Sequence, residues 1–154
     1  MRKEKKKLIG SIFIIAITAA GFLCFSLRPV KIIAVHNDGN YSDVLVDHFP
    51  VTVRGKIDWW QKNSEMLKKR YDIPNAAPYG SYTITFWYFG DGYRERGRHD
   101  DRLCFTEINT PKSCIEKDKA FTVRYSKKSG IYFTTSDGYY ALKENGEIIK
   151  RPSK

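Results

Sequence analysis

The 154 residues carry 27 Lys+Arg against 17 Asp+Glu, three Cys and 14% aromatics, which accommodates one modest domain and excludes a multidomain enzyme. High aromatic content without low-complexity tracts argues against a chain disordered over most of its length. The formal charge of +10 resembles a nucleic-acid footprint until its distribution along the chain is read.

Residues 1–7 hold five positive charges, Arg2, Lys3, Lys5, Lys6 and Lys7, and one negative charge, and an uncharged run of 20 residues, 8–27, follows directly. As an α-helix that run would span about 30 Å, the thickness of a bilayer hydrocarbon core. The basic flank outweighs Arg28 and Lys31 on the far side, which orients the amino terminus toward the cytoplasm. A cleaved signal peptide is the competing reading. Against it, the run exceeds a signal core in length, ends in the bulky Phe22-Leu-Cys-Phe25, and encloses its small-residue site at Ala19-Ala20-Gly21. Lipoprotein processing at Cys24 would need a small residue where Leu23 stands. The expected organisation is a cytoplasmic basic segment 1–7, a single transmembrane helix 8–27, and an exported domain 28–154. That domain would lie in the periplasm of a Gram-negative cell or outside another cell type. Removing the five basic and one acidic residues of 1–7 from the totals leaves 22 basic and 16 acidic residues on the rest, a net +6. Such a compartment excludes nucleic acid as a partner and leaves the membrane and a protein.

Cys24 falls in the apolar run, where a thiol behaves as a small hydrophobe. Cys104 and Cys114 are the only cysteines of the exported domain, and an oxidising compartment favours their pairing. Two thiols supply half a zinc set at a spacing that fits no CxxC knuckle, and the same spacing disfavours a redox pair.

The domain begins with a β-branched strand over 31–36, a turn at 37–40 and a second strand over 41–48. Val53, Ile57, Trp60, Ser64, Leu67 and Tyr71 then recur in steps of three and four, which predicts an amphipathic helix over 53–71. Thr52 is its candidate N-cap, Lys68-Lys69-Arg70 complement its carboxy-terminal dipole, and Pro74 stops it. Of the adjacent Trp59 and Trp60, one is expected in the core and the other at its edge. The strongest strand is 81–89, bulky on both faces and therefore central. A polar stretch follows with Arg94, Arg96, Arg98, His99, Asp100, Asp101 and Arg102. The last third reads as a meander of strands over 121–126, 131–136, 139–144 and 147–150, with type I′ turns expected at Asp137-Gly138 and Asn145-Gly146. The first of these turns would set Thr135 opposite Tyr140 and Phe133 opposite Leu142. The fold class is α+β: a transmembrane helix, then an antiparallel sheet with one main packed helix.

None of the strong catalytic signatures occurs, whether nucleophile elbow, zinc-protease motif, phosphate loop or dinucleotide fingerprint. No catalytic residue, metal ligand or cofactor is assigned. The dispersed His36, His48 and His99 and the pair Asp100-Asp101 are the sole candidates for an enzyme acting on lipid or cell wall, the least favoured class. Arg94, Arg96 and Arg98 alternate beside Tyr93 and near Trp87, and together with Trp59 they form the candidate interaction surface for an acidic or anionic partner. An exposed charged hairpin, balanced by Glu95, Asp100 and Asp101, is the alternative reading of the same residues.

Several pieces carry a family resemblance: Leu27-Arg-Pro-Val30, Ile33-Ala-Val-His36, Val44-Leu-Val46 before Phe49-Pro50, Gly55-Lys-Ile-Asp-Trp-Trp60, Phe86-Trp-Tyr-Phe-Gly-Asp-Gly-Tyr93, Asp101-Arg-Leu-Cys-Phe105, Cys114-Ile-Glu-Lys117 and Asn145-Gly-Glu-Ile-Ile149. On these the chain resembles a family of small enterobacterial membrane proteins of unknown function, over nearly its whole length. The resemblance implies an inner-membrane protein with a periplasmic domain and transfers no catalytic residues. The function expected is therefore binding: an anchored domain recognising another protein, as an immunity protein recognises an antibacterial effector, or as an accessory factor docks on a membrane complex.

Overall fold

The computed structural model describes residues 2–26, 28–98 and 101–152, with side chains in the first segment described for residues 6, 7 and 9–24. Helix α1 (Arg2–Ser26) runs through the basic segment as well as the apolar one, because Lys, Arg and Glu are themselves good helix formers. The boundary expected at residue 8 is therefore one of composition and not of secondary structure. Among the described residues no helix is long and apolar enough to cross a membrane. Within α1 the uninterrupted apolar stretch with described side chains is 9–24, about 24 Å of helix. Leu27 and the side chains of Leu8 and Phe25, which the expected span needs, lie outside the described set. Its large apolar groups are exposed on every side, from Ile9 and Phe13 to Phe22 and Leu23.

Strands β1 (Lys31–Asp38) and β2 (Tyr41–Asp47) form a hairpin around Gly39, whose φ of 59° suits a residue without Cβ. Helix α2 (Val53–Tyr71) follows within the bounds that the apolar periodicity predicts. The Thr52 side chain accepts a hydrogen bond from the Gly55 N–H at 3.0 Å, and Asp72 closes the other end in the left-handed conformation, its N–H donating to the Leu67 and Lys68 carbonyls.

Because α2 carries the chain back along the sheet, β3 (Tyr82–Tyr88) lies parallel to β2. The sheet is accordingly mixed, correcting the wholly antiparallel expectation. Short strands β4 (Arg94–Glu95), β5 (Leu103–Cys104) and β6 (Lys112–Ile115) build a second sheet of order β4-β6-β5. The meander β7 (Lys119–Ser126), β8 (Gly130–Thr135), β9 (Gly138–Leu142) and β10 (Ile148–Arg151) completes a seven-stranded sheet of order β1-β2-β3-β7-β8-β9-β10.

Alternation along the central strands serves two cores. Val44, Val46, Ile84, Phe86, Phe121 and Val123 face α2 and meet Ile57, Trp60 and Leu67. Leu45 and Trp87 point to the opposite face and meet Phe105 and Ile115 of the small-sheet region. Trp60 is buried and Trp59 half-buried, as expected of core and edge. Lys56, on the buried side of α2, donates from Nζ to the Ala120 carbonyl at 2.8 Å and ties helix to sheet.

Two meander turns differ from expectation. Thr135 pairs with Gly138 and Phe133 with Tyr140, so the two-residue turn is Ser136-Asp137, displaced from Asp137-Gly138, and the register shifts by two with the faces preserved. Neither Ser136 nor Asp137 has positive φ. Instead the Asp137 N–H donates to Thr135 Oγ1 at 3.1 Å, and the Asp137 carboxylate accepts from the Tyr140 hydroxyl and from Lys150. At the second turn the Gly146 N–H donates to the Lys143 carbonyl at 2.9 Å, and only Gly146 is left-handed, with φ 82°. This is the three-residue loop with a terminal glycine bulge, not a type I′ turn.

Candidate functional site

The small sheet is stapled internally by a covalent bond and held against the large one by an apolar floor and a polar clip. Cys104 and Cys114 stand directly opposite in the β5/β6 register and are disulfide-bonded, the pairing expected from the sequence. Phe105 and Ile115 are buried beneath them. The clip centres on His36 at the far end of β1: Nδ1 lies 2.6 Å from Glu107 Oε1, Nε2 lies 2.8 Å from the Tyr93 hydroxyl, and the ring stacks on Phe105 with centroids 3.7 Å apart. Next to it in the strand pairing is Asp43, whose carboxylate accepts from the Trp87 indole N–H at 2.6 Å. Burial holds the Asp43 carboxyl above its ordinary range, opposed by that indole bond and by nearby His36. Burial likewise raises the Tyr93 phenol, helped by Glu107.

A carboxylate, an imidazole and a phenol in series invite comparison with a general-base relay. Here both imidazole nitrogens are engaged, and the raised phenol favours a neutral hydroxyl over a phenolate nucleophile. What the arrangement does physically is fasten the 89–93 turn and the 105–108 loop to β1. Among the described residues no group of three or more His, Cys, Asp or Glu is arranged to hold a metal ion. Asp101 is ion-paired with Lys117, while His99 and Asp100 lie outside the described residues.

The six residues of the expected interaction surface divide between the two faces of the sheet. Trp87 belongs to the core beneath the small sheet, 8% exposed, with Lys119 Nζ 5.3 Å from its ring centroid. It supports the surface from below and does not form it. Tyr93 is half-buried in the clip. Arg94, Arg96 and Arg98 are exposed, but β4 ends at Glu95 with an irregularity after Arg94, so strand alternation does not align all three. Arg94 bonds Asp91 at 2.6 Å, and Arg96 Nε lies 3.4 Å from the Cys104 sulfur. Trp59 is on the other side, edge-on to Phe49 and Phe86 at 5.1 and 5.7 Å.

There it lines a groove of about 1030 Å³ between α2, the β2–α2 loop and the chain entering β1, with Phe22 of α1 and Tyr88 of β3 also on its wall. Gly55, Trp59, Asn63, Met66 and Arg70 give α2 a second stripe beside its core stripe, in steps of three and four. That spacing was readable in the sequence but was masked by the stronger apolar series. His36 with Glu107, by contrast, had no local signal, the two being 71 residues apart.

Against known proteins, the chain matches the family described as "Enterobacterial putative membrane protein (DUF943)" over residues 2–152. No curated protein and no solved structure matches it. With all but its extreme terminal residues covered, the chain belongs to this enterobacterial family, DUF943, whose function is unknown.

Proposed function

We propose that the chain is a single-pass inner-membrane protein, amino terminus in the cytoplasm, whose periplasmic domain binds another protein and performs no catalysis. The anchor is supported by the uncharged run 8–27 and by large apolar side chains exposed all round α1, a distribution that suits lipid and not water. Five basic residues precede the uncharged run, a bias that suits the cytoplasmic face of a membrane and its anionic headgroups.

The observation that carries the binding role is the exposed arginine cluster, Arg94 on β4 with Arg96 and Arg98 just beyond it, beside a small sheet stapled by a disulfide. A rigid, arginine-rich surface loses little entropy on meeting an acidic partner. The finer reading is an immunity protein that neutralises an effector arriving in the periplasm. Deletion of the gene should lower survival beside effector-delivering neighbours, with rescue by the wild type and not by R94E/R96E/R98E. Equal survival with and without the gene, across cognate neighbours, removes the immunity reading. A photocrosslinker at Arg96 that traps a resident membrane complex points instead to an accessory factor, and one that traps only lipid removes both.

A further inference from the structure

We infer that the groove along α2 is a binding site for an anionic phospholipid of the membrane in which the chain is anchored, an inference that rests on the anchoring proposed above. Three observations converge on that occupant. First, the groove is adjacent to the membrane: its lining includes Lys31 and Ile32, at most five residues beyond the apolar run, and five extended residues reach no more than about 18 Å. Second, its lining charges have one sign. Arg28, Lys31 and Arg70 contribute cations, and no Asp or Glu is among the described lining residues, although the whole chain has 17 acidic residues. Third, the floor is apolar and aromatic, with Phe49, Trp59 and Met66, and Val51 on its rim is 67% exposed.

A phosphate at the mouth and an acyl chain over the aromatic floor satisfy both halves of this surface. An acidic peptide would satisfy only the first, and an apolar helix only the second. A volume of about 1030 Å³ lies at the upper end of small-molecule sites, which run to roughly 1,000 Å³. The Arg70 guanidinium carbon is held 5.6 Å from the Tyr71 ring centroid, which orients the cation at the groove wall. Trp59 has the amphipathic ring enriched at membrane interfaces.

The test uses the full-length protein reconstituted into phosphatidylcholine vesicles containing a small fraction of brominated phosphatidylglycerol or, in parallel, brominated phosphatidylcholine. Quenching of Trp59 is isolated by subtracting the W59F variant. A cationic residue near an anionic surface gives about a fivefold preference, so Arg28, Lys31 and Arg70 together should favour phosphatidylglycerol about a hundredfold. R28Q/K31Q/R70Q should abolish the preference, while K128Q, in the distant β7–β8 turn, should keep it. Equal quenching by the two lipids, or a preference that survives R28Q/K31Q/R70Q, overturns the inference and leaves the groove to a protein segment. Repeating the comparison with soluble short-chain brominated lipids separates the two readings. A chain that fails to float with vesicles yet shows quenching that depends on Arg28, Lys31 and Arg70 loses the anchor and keeps the groove. One that floats without lipid preference keeps the anchor and loses the groove.

Discussion

Removing the Cys104–Cys114 disulfide should open the small sheet while the seven-stranded sheet stays folded. The bond joins residues ten apart in sequence, and closing a loop of that length removes about 2.7 kcal/mol of chain entropy from the unfolded ensemble. What remains is one residue pair between β5 and β6 besides the cysteines, two between β4 and β6, the buried Phe105 and Ile115 and the His36 clip. So few paired residues are marginal without a staple. The suitable variant is C104A/C114A, because Cys114 is fully buried and serine there would bury a hydroxyl. Hydrogen exchange on the full-length chain in detergent should show protection over 94–95, 103–105 and 112–115 falling about a hundredfold, the equivalent of 2.7 kcal/mol. Amides of β2, β3 and β7 should hold theirs. Reducing the wild type should reproduce the change, and the same reductant should leave the variant unaltered. A fall below about tenfold, or one equal in β3 and β7, would refute the idea that the staple acts locally.

Three further outcomes are expected. Phe86→Ala, at a fully buried position ringed by Phe49, Trp59, Trp60 and Phe121, should cost about 3–5 kcal/mol in urea denaturation; a loss under 1 kcal/mol would show that this face is not close-packed. Thr52→Ala should cost about 1 kcal/mol by removing the oxygen that caps Gly55 N–H, and an unchanged midpoint would contradict the cap. Burial pushes the Lys56 ammonium below the ordinary lysine value, partly offset by Asp118. The folded state therefore releases this proton at lower pH than the unfolded state, so stability relative to Lys56→Met should rise as pH climbs from the lowered value toward 10.5. A difference between the two proteins that stays flat or falls over that range would contradict the desolvation.

How much was legible in the sequence follows from the range of the interactions involved. Helix α2 carries its own signals, a capping threonine, a regular apolar stripe and a terminal proline, and its bounds could be read directly. The β3 strand was recognisable as central because its bulky residues serve two faces, and the structure supplies a core for each. Strands of two residues such as Arg94–Glu95 have no period to detect, and only the cysteine pair hinted that the chain doubles back there. The β2/β3 parallel pairing depends on where α2 returns the chain, and the register of the β8–β9 hairpin depends on side-chain bonds to Asp137. Neither is written in local propensity. The arginines were visible as a cluster, but their separation from Trp59 by the thickness of the sheet was not. The groove, built from five separate segments, required the fold.

Location is the claim on which both functional readings rest, and it has a direct measurement. Alkaline phosphatase, active only after export, and green fluorescent protein, fluorescent only when left in the cytoplasm, can each be fused after residue 154 in enterobacterial cells. Membrane-bound phosphatase activity with a dark fluorescent fusion is the predicted result. A fluorescent fusion with inactive phosphatase would put the domain in the cytoplasm and contradict the account.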